Sequence, residues 1–372
     1  MEQADKLNVP STSGGGPAPA RFGQLALALL GTVLVVFLLW QGFVFLRDTT
    51  APKWIVAIVA IIWGVGGIAA LFAVGNMLIE QLPARVGRVM LPYLFVGPGL
   101  ALLLWYLALP AVRTFWFSLL DRRSANFVGL QNYVAVFSER IMLETFRNNL
   151  LWIVVGATLS VVLGLLIAIL ADRSRFENFA KTLIFLPMAI SMVGAGVIWN
   201  FMYEVRAVGD PQIGLLNAIV VGLGGQPQAW TALIQPWNNL FLIAILIWLQ
   251  TGFAMVLFSA AIKGIPAEII EAARVDGANE FEVFFQIMIP FIRSTIITVS
   301  TTIVIFTLKI FDVVIVMTGG QFGTEVIATQ FYRQYFSNRN FGFGSAIAIV
   351  LLLAVIPVMI YNLRQFRDRE AF

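Results

Sequence analysis

The sequence predicts an all-α, polytopic membrane protein with eight transmembrane helices. Three observations lead there. Apolar residues make up 59% of the 372 residues and only 12% are charged, a balance that excludes disorder and argues against a soluble globule. The apolar residues gather into eight runs, each long enough to cross ~30 Å of hydrocarbon at about 1.5 Å per helical residue. Trp54, Trp116, Trp152, Trp230 and Trp237 stand near the ends of these runs, where aromatic belts form.

Residues 1–20, with their PSTSGGGPAPA stretch, cannot bury enough surface to order themselves and are expected to be a disordered tail. The runs then fall at about Phe22–Leu46, Trp54–Leu78, Leu91–Phe117, Asn149–Ala171, Phe179–Tyr203, Leu240–Ile262, Phe291–Met317 and Phe343–Leu363. The first is too long for a signal-peptide core and is expected to be retained. Pro98 and Pro187 lie inside spans, where neighbouring helices can satisfy the freed carbonyls. An even number of spans places both termini on one side. The 24 Lys and Arg divide almost evenly between the two sides, so charge alone does not set the orientation.

Composition also removes whole classes of chemistry. The chain has no Cys and no His, so disulfides, thiolate sites and the usual zinc and general-base arrangements lose their main players. No G-x4-G-K-[S/T] loop and no G-x-G-x-x-G after a strand occur, so the chain is expected to hold no ATP or dinucleotide, and no cofactor, by itself. The net charge of +4 is scattered between apolar runs. Lipid headgroups account for it, and nucleic acid is not implied.

One polar stretch, Lys263 to Pro290 (KGIPAEIIEAARVDGANEFEVFFQIMIP), interrupts two long apolar runs. Pro266 fits the start of a helix and Glu268 its positive end. Asp276-Gly277 stops that helix, because glycine takes the left-handed conformation cheaply. Asn279 then caps a second helix, with Glu282 three residues on as a capping box. Phe281, Phe284, Phe285 and Met288 fall at i, i+3, i+4, i+7, which predicts one apolar face, and Pro290 is expected to end the helix. Such an amphipathic elbow suits a helix offered to a groove on another protein.

Glu271-Ala272-Ala273, Gly277 and Ile287-Met288-Ile289-Pro290 resemble the EAA loop (EAA-x3-G-x9-I-x-L-P) of permease subunits in binding-protein-dependent ABC importers, with Ile289 in place of leucine. Three further stretches resemble the carbohydrate-uptake branch, especially the larger permease of maltose-type importers. They are Phe127 to Tyr133 (FVGLQNY), Leu308 to Gly320 (LKIFDVVIVMTGG) and Phe341 to Ala346 (FGFGSA). The Lys309-Ile310-Phe311-Asp312 form is most similar to permeases for α-glucosides and glucosyl compatible solutes.

The resemblance covers about Met90–Arg369. It implies two extra amino-terminal spans over 21–89 and a six-helix permease core over 90–372, with a cytoplasmic coupling loop at 263–290. It implies a bacterial inner-membrane location with both termini cytoplasmic. It also implies a second permease subunit, two ATPase subunits that bind the ATP, an extracytoplasmic solute-binding protein and a sugar substrate. Glu271, Ala272, Ala273, Asp276, Gly277, Phe281 and Phe284 would dock on the ATPase subunit.

For the substrate pathway, Asn200 and Gln250 offer bidentate hydrogen bonding within spans, and Trp248 and Phe311 offer aromatic faces for sugar C–H surfaces. Interhelical hydrogen bonding is the alternative for the two amides. Lys309 and Asp312, three apart on one span, are expected to share a face, with Lys309 about 8 Å from the midplane. A polar cavity or outer gate, an interhelical ion pair, or a span shifted so that both residues reach the surface would each account for the pair. An ion-coupled secondary transporter acting alone is the rival reading, with Asp312 as its only intramembrane acid. An intramembrane enzyme lacks paired carboxylates within a span. A non-transporting scaffold is the remaining alternative.

Overall fold

The computed structural model describes residues 18–369. Most of the expected disordered tail, residues 1–17, lies outside them; at its far end the first helix already begins at Ala18. Among the described residues the chain is helical, and two compact units meet in sequence at Ala111 and Val112.

The first unit holds α1 (Ala18–Asp48), α2 (Lys53–Glu80) and the leading part of α3 (Arg85–Ser118). Small residues let these helices approach. A Cβ on Gly42 would overlap the Trp63 ring, whose Nε1 donates to the Leu39 carbonyl at 2.8 Å. Between α2 and α3, Phe72 stacks on Phe95 with centroids 5.4 Å apart, and a Cβ on Gly75 would meet Leu94 Cδ1 at 2.5 Å. The outer faces carry exposed Leu30, Val33 and Ile62, which only a hydrocarbon solvent leaves at no cost.

The second unit is built on α9 (Trp237–Lys263), the most enclosed of the spans. Against it runs α5 (Arg140–Asp172). A Cβ on Gly156 would come within 2.8 Å of Leu246, and one on Gly164 would overlap Ala254 and press on the Met255 backbone. The contact is a small-residue seam. Trp152, Leu242, Ile243 and Leu246 fill the core beside it. Between α3 and α5 lies the short α4 (Gln131–Ser138).

The fifth predicted span, Phe179–Tyr203, is broken. It consists of α6 (Glu177–Ala189) and α7 (Met192–Tyr203), bent by 104°. Pro187 opens the break, and Ser191 closes it by capping α7 through the Gly194 N–H at 3.0 Å. The pair is still one crossing. Glu177 and Lys181 bond Lys263 and Ser259 at one end of α9. A Cβ on Gly252, near the middle of α9, would meet Phe185 Cα at 2.8 Å. Tyr203 Oη donates to the Phe241 carbonyl at 2.8 Å at the other end. The bent pair thus follows α9 from end to end, and the described residues make eight crossings.

After α9 the chain forms α10 (Ala267–Val275) and then α11 (Glu280–Leu308). The predicted stop at Pro290 does not occur. A π-helical turn at Val283–Met288 absorbs the proline, whose missing N–H and ring would otherwise break the ladder, so the second arm of the elbow is continuous with the seventh crossing. The same shift ends that crossing at Leu308 rather than Met317. Residues 309–311 form a break before the short α12 (Asp312–Met317). A glycine-rich loop, α13 (Ile327–Tyr332) and α14 (Phe341–Arg369) complete the chain.

Candidate functional site: a capped elbow and a broken helix

The elbow is locally self-determined. Pro266 stands one position before α10, and Gly277 takes φ +92° with open space around its Cβ position. The Ala278 N–H then reaches the Ala273 carbonyl at 3.0 Å and the Gly277 N–H the Arg274 carbonyl at 3.1 Å, which satisfies carbonyls at the helix end. Asn279 Oδ1 accepts from the Phe281 and Glu282 N–H groups at 3.0 Å, and Glu282 Oε2 accepts from the Asn279 N–H at 2.7 Å. The expected capping box is present.

Glu271, Ala272, Asp276 and Gly277 are exposed and Ala273 is half-buried. The phenylalanines do not share one face. Met288 is buried and Phe284 half-buried against Ile265, Val283 and Ile292, so Phe284 turns into the body. The reason is the π turn, which changes the angular spacing that a 3.6-residue period assumes. Phe281 and Phe285 stay outside, at 78% and 62% exposure, and Val275, at the end of α10, is 86% exposed.

Charge ties the elbow to the crossings. Glu280 accepts from Arg274 at 2.9 Å and from Arg173, just past α5, at 2.9 Å. Next to it, Lys181 pairs with Asp172 and with Glu177 (2.6 Å), Lys263 pairs with Glu177, and Ser259 donates to Asp172 at 2.7 Å. This latch joins α5, α6 and α9 at one level. Sequence reasoning missed it, although its members stand at span ends, where a charge would otherwise be free.

The candidate pathway residues do not form one cluster. Trp248 meets Trp199 edge-on at 5.8 Å, in a ring group with Tyr203, Phe241 and Trp230. Asn200 is exposed on α7 and donates to the Val316 carbonyl at 3.4 Å. Gln250 sits at the midpoint of α9, 8% exposed, and its amide makes no hydrogen bond among the described residues. Phe311 packs on Tyr332 at 5.3 Å.

Lys309 and Asp312 do not share a helical face, because the helix ends between them, and they form no ion pair among the described residues. Lys309 caps the end of α11 and is exposed. The helix starts at Glu280, eleven residues earlier than the run Phe291–Met317 suggests, and ends at Leu308, in keeping with the shifted-span alternative.

The far end from the elbow holds a second network. Asn148 Nδ2 donates to the Gly323 and Glu325 carbonyls at 2.7 and 2.9 Å, Asn238 to Phe322 at 2.6 Å, and the Ile327 N–H donates to Asn149 Oδ1 at 2.7 Å. These clamp the loop after α12. Within it, Glu325 is 4% exposed, pairs with Arg333 and accepts from Thr329 at 2.6 Å. Burial pushes its carboxyl above the ordinary range, against the opposing pull of the Thr329 bond and Arg333. Sequence reasoning missed this clamp; the paired asparagines 148–149 and 238–239 are the signal that could have found it.

Residues 160–369 match the family described as "Binding-protein-dependent transport system inner membrane component". The chain is 57% identical, over 277 residues, to the "Osmoprotective compounds uptake permease protein GgtC" of Synechocystis sp., covering 74% of this chain and 99% of that one. It is 52% identical over 281 residues to the "Alpha-glucoside transport system permease protein AglF" of Rhizobium meliloti, covering 75% and 83%. Its fold matches a chain of a bacterial ABC transporter for alginate import with TM-score 0.65 at 20% identity, over 76% of this chain and 97% of that one. A non-enzymatic, multi-pass inner-membrane subunit with this fold and these relatives belongs to the permeases of binding-protein-dependent ABC importers.

Proposed function

We propose that this permease forms half of the translocation pathway for a sugar or sugar-derived compatible solute, such as an α-glucoside, a di- or oligosaccharide or glucosylglycerol. Relatives named for osmoprotective compounds and for α-glucosides support that class. The second half comes from a different permease subunit. Two ATPase subunits bind the ATP, and an extracytoplasmic binding protein delivers the solute.

The observation that carries this reading is the elbow: capped at both turns, exposed at Glu271, Val275, Phe281 and Phe285, and cross-tied to α5 through Glu280 and Arg173. Glu271 with Ala272, Asp276 and Gly277 faces the ATPase groove, on the cytoplasmic side with both termini. Closure of the ATPase pair then reorients the crossings around a midplane site. Swinging a two-state equilibrium from 1:99 to 99:1 takes about 5.5 kcal/mol of differential interaction, which a floppy loop could not transmit. Gln250, with its unmatched amide at mid-membrane, is the strongest pathway residue. Trp248, Asn200 and Phe311 supply further surface, and Lys309 and Asp312 sit at the rim of the break.

Because the chain has no cysteine, a Glu271→Cys variant gives a clean test. Expressed with its neighbouring subunits, it should crosslink to an ATPase subunit, and ATP should change the yield. A labelled Cys at that position that reacts only from outside the cell would refute the docking and the orientation together.

A further inference from the structure

At the end away from the elbow, the loop after α3 and the approach to α14 line a half-open cleft of about 480 Å³. Its walls carry three guanidinium groups, Arg122, Arg123 and Arg339, with Ser337, Asn338 and Phe341, and no carboxylate. The nearest acid in sequence, Asp121, is committed to its own loop. It accepts from the Ala125 N–H and Asn126 Nδ2 at 2.8 Å and from the Arg123 N–H at 3.1 Å.

Arg122 Nη2 donates to the Asn338 carbonyl at 2.7 Å, and the Phe341 N–H donates to the Arg122 carbonyl at 3.0 Å, so the two loops are fastened together. The side chains of Arg123 and Arg339 make no hydrogen bond or ion pair among the described residues. Three like charges around one cleft repel, and guanidinium forks match a phosphate bidentately.

The depth of the cluster identifies the source of that phosphate. Arg122 follows the end of α3 by four residues, and Arg339 precedes α14 by two. Asn132 of α4 donates to the Ser118 and Leu120 carbonyls at 2.8 Å, which fixes α4 against the same loop. That helix and its N-cap residue expose Leu130, Val134 and Phe137, and Trp116 and Phe127, just before it in sequence, form a ring pair at 6.3 Å. An aromatic pair and an apolar stripe next to an arginine cluster mark the boundary between acyl chains and headgroups.

The geometry points to a binding site for an anionic phospholipid, its phosphate held by Arg122, Arg123 and Arg339 and its chains lying beside α4. Free phosphate would leave the apolar stripe without an occupant. The inference does not depend on which substrate the permease carries or on which face is cytoplasmic.

The test uses the full chain, purified with the subunits that accompany it and then delipidated. Binding of phosphatidylglycerol, phosphatidylcholine and inorganic phosphate is followed by native mass spectrometry for the wild type and for an Arg123→Gln/Arg339→Gln double variant. The wild type should prefer phosphatidylglycerol to phosphatidylcholine by about tenfold or more, the double variant should lose that preference, and an Arg123→Lys/Arg339→Lys variant should recover most of it. That charge-keeping variant separates loss of the anion site from misfolding. Equal preference in the wild type and the Gln variant overturns the site. Displacement of the lipid by inorganic phosphate makes it a free-anion site instead. Loss of a co-purifying protein from the Gln variant, with lipid preference unchanged, makes it a protein contact. Either result overturns the lipid.

Discussion

Arg173, just past α5, and Glu280, at the first residue of α11, meet at 2.9 Å, and the same Glu280 carboxylate holds Arg274 of α10. One exposed acid therefore joins both arms of the elbow to the fourth crossing. Exposed ion pairs add little to stability, so its value lies in fixing geometry. Arg173→Ala should leave the thermal midpoint of the purified complex unchanged while uptake per ATP hydrolysed falls several-fold. Unchanged coupling would assign the pair to the surface.

Gly277 holds φ +92°, and its N–H donates to the Arg274 carbonyl. Gly277→Ala meets no neighbour but places a Cβ in the left-handed region, at a cost of about 1–2 kcal/mol. Gly277→Pro also deletes the donor and forbids that φ. Both chains should insert in the membrane, with ATPase-subunit co-purification weakened by alanine and abolished by proline. Normal co-purification of the proline variant would contradict the docking reading.

The α5–α9 seam predicts a sharp positional contrast. A Cβ on Gly164 overlaps Ala254 and lies 3.0 Å from the Met255 backbone nitrogen, whereas Gly64 has nothing within 4 Å. Gly164→Ala should destabilise the detergent-solubilised protein by about 1–3 kcal/mol, and Gly64→Ala should not. Equal unfolding midpoints for the two variants would show that the seam adjusts.

Gln250→Leu keeps volume and removes the amide. The amide makes no hydrogen bond among the described residues yet keeps some solvent access, so the variant should be about as stable as the wild type. If Gln250 bonds the solute, the half-saturating concentration should rise about tenfold, the worth of about one hydrogen bond. Unchanged uptake kinetics would make it a packing residue.

Glu325 supplies a pH signature. Its folded carboxyl titrates above the ordinary range, so the folded state binds its proton more tightly than the unfolded chain does. The protein therefore gains stability from this group as pH falls through the raised value, fully so below about 4.3, the unfolded pKa. It loses that contribution as pH rises. The stability of wild type relative to Glu325→Gln should increase on acidification in a thermal-shift series. A constant difference would mean that Arg333 fully offsets the burial.

The eight crossings and the elbow were legible because each depends on local sequence: run length, Gly277, and the Asn279–Glu282 box. The register of the seventh crossing was not. Pro290 signals a stop by its own chemistry, and only the π turn, an accommodation of the whole helix, lets the chain pass through it. The broken fifth crossing was half-legible, since Pro187 announced the kink while the 104° bend rests on packing along α9. Gln250 and Trp248 were legible as residue types, and the shared face of Lys309 and Asp312 was lost because the helix ends at Leu308, between the run's apolar residues and the pair. The latch and the asparagine clamp join residues scores of positions apart, which spacing along the chain does not reveal.

The unbroken passage through Pro290 also makes the second arm of the elbow and the seventh crossing one rigid element. Twenty-nine helical residues from Glu280 to Leu308 make a rod of about 43 Å. A tilt of only ~5° at the Phe281 tip therefore sweeps the opposite tip, just before Lys309, sideways by nearly 4 Å. A small rotation at the elbow end of this helix therefore becomes a displacement of several ångströms at its other end.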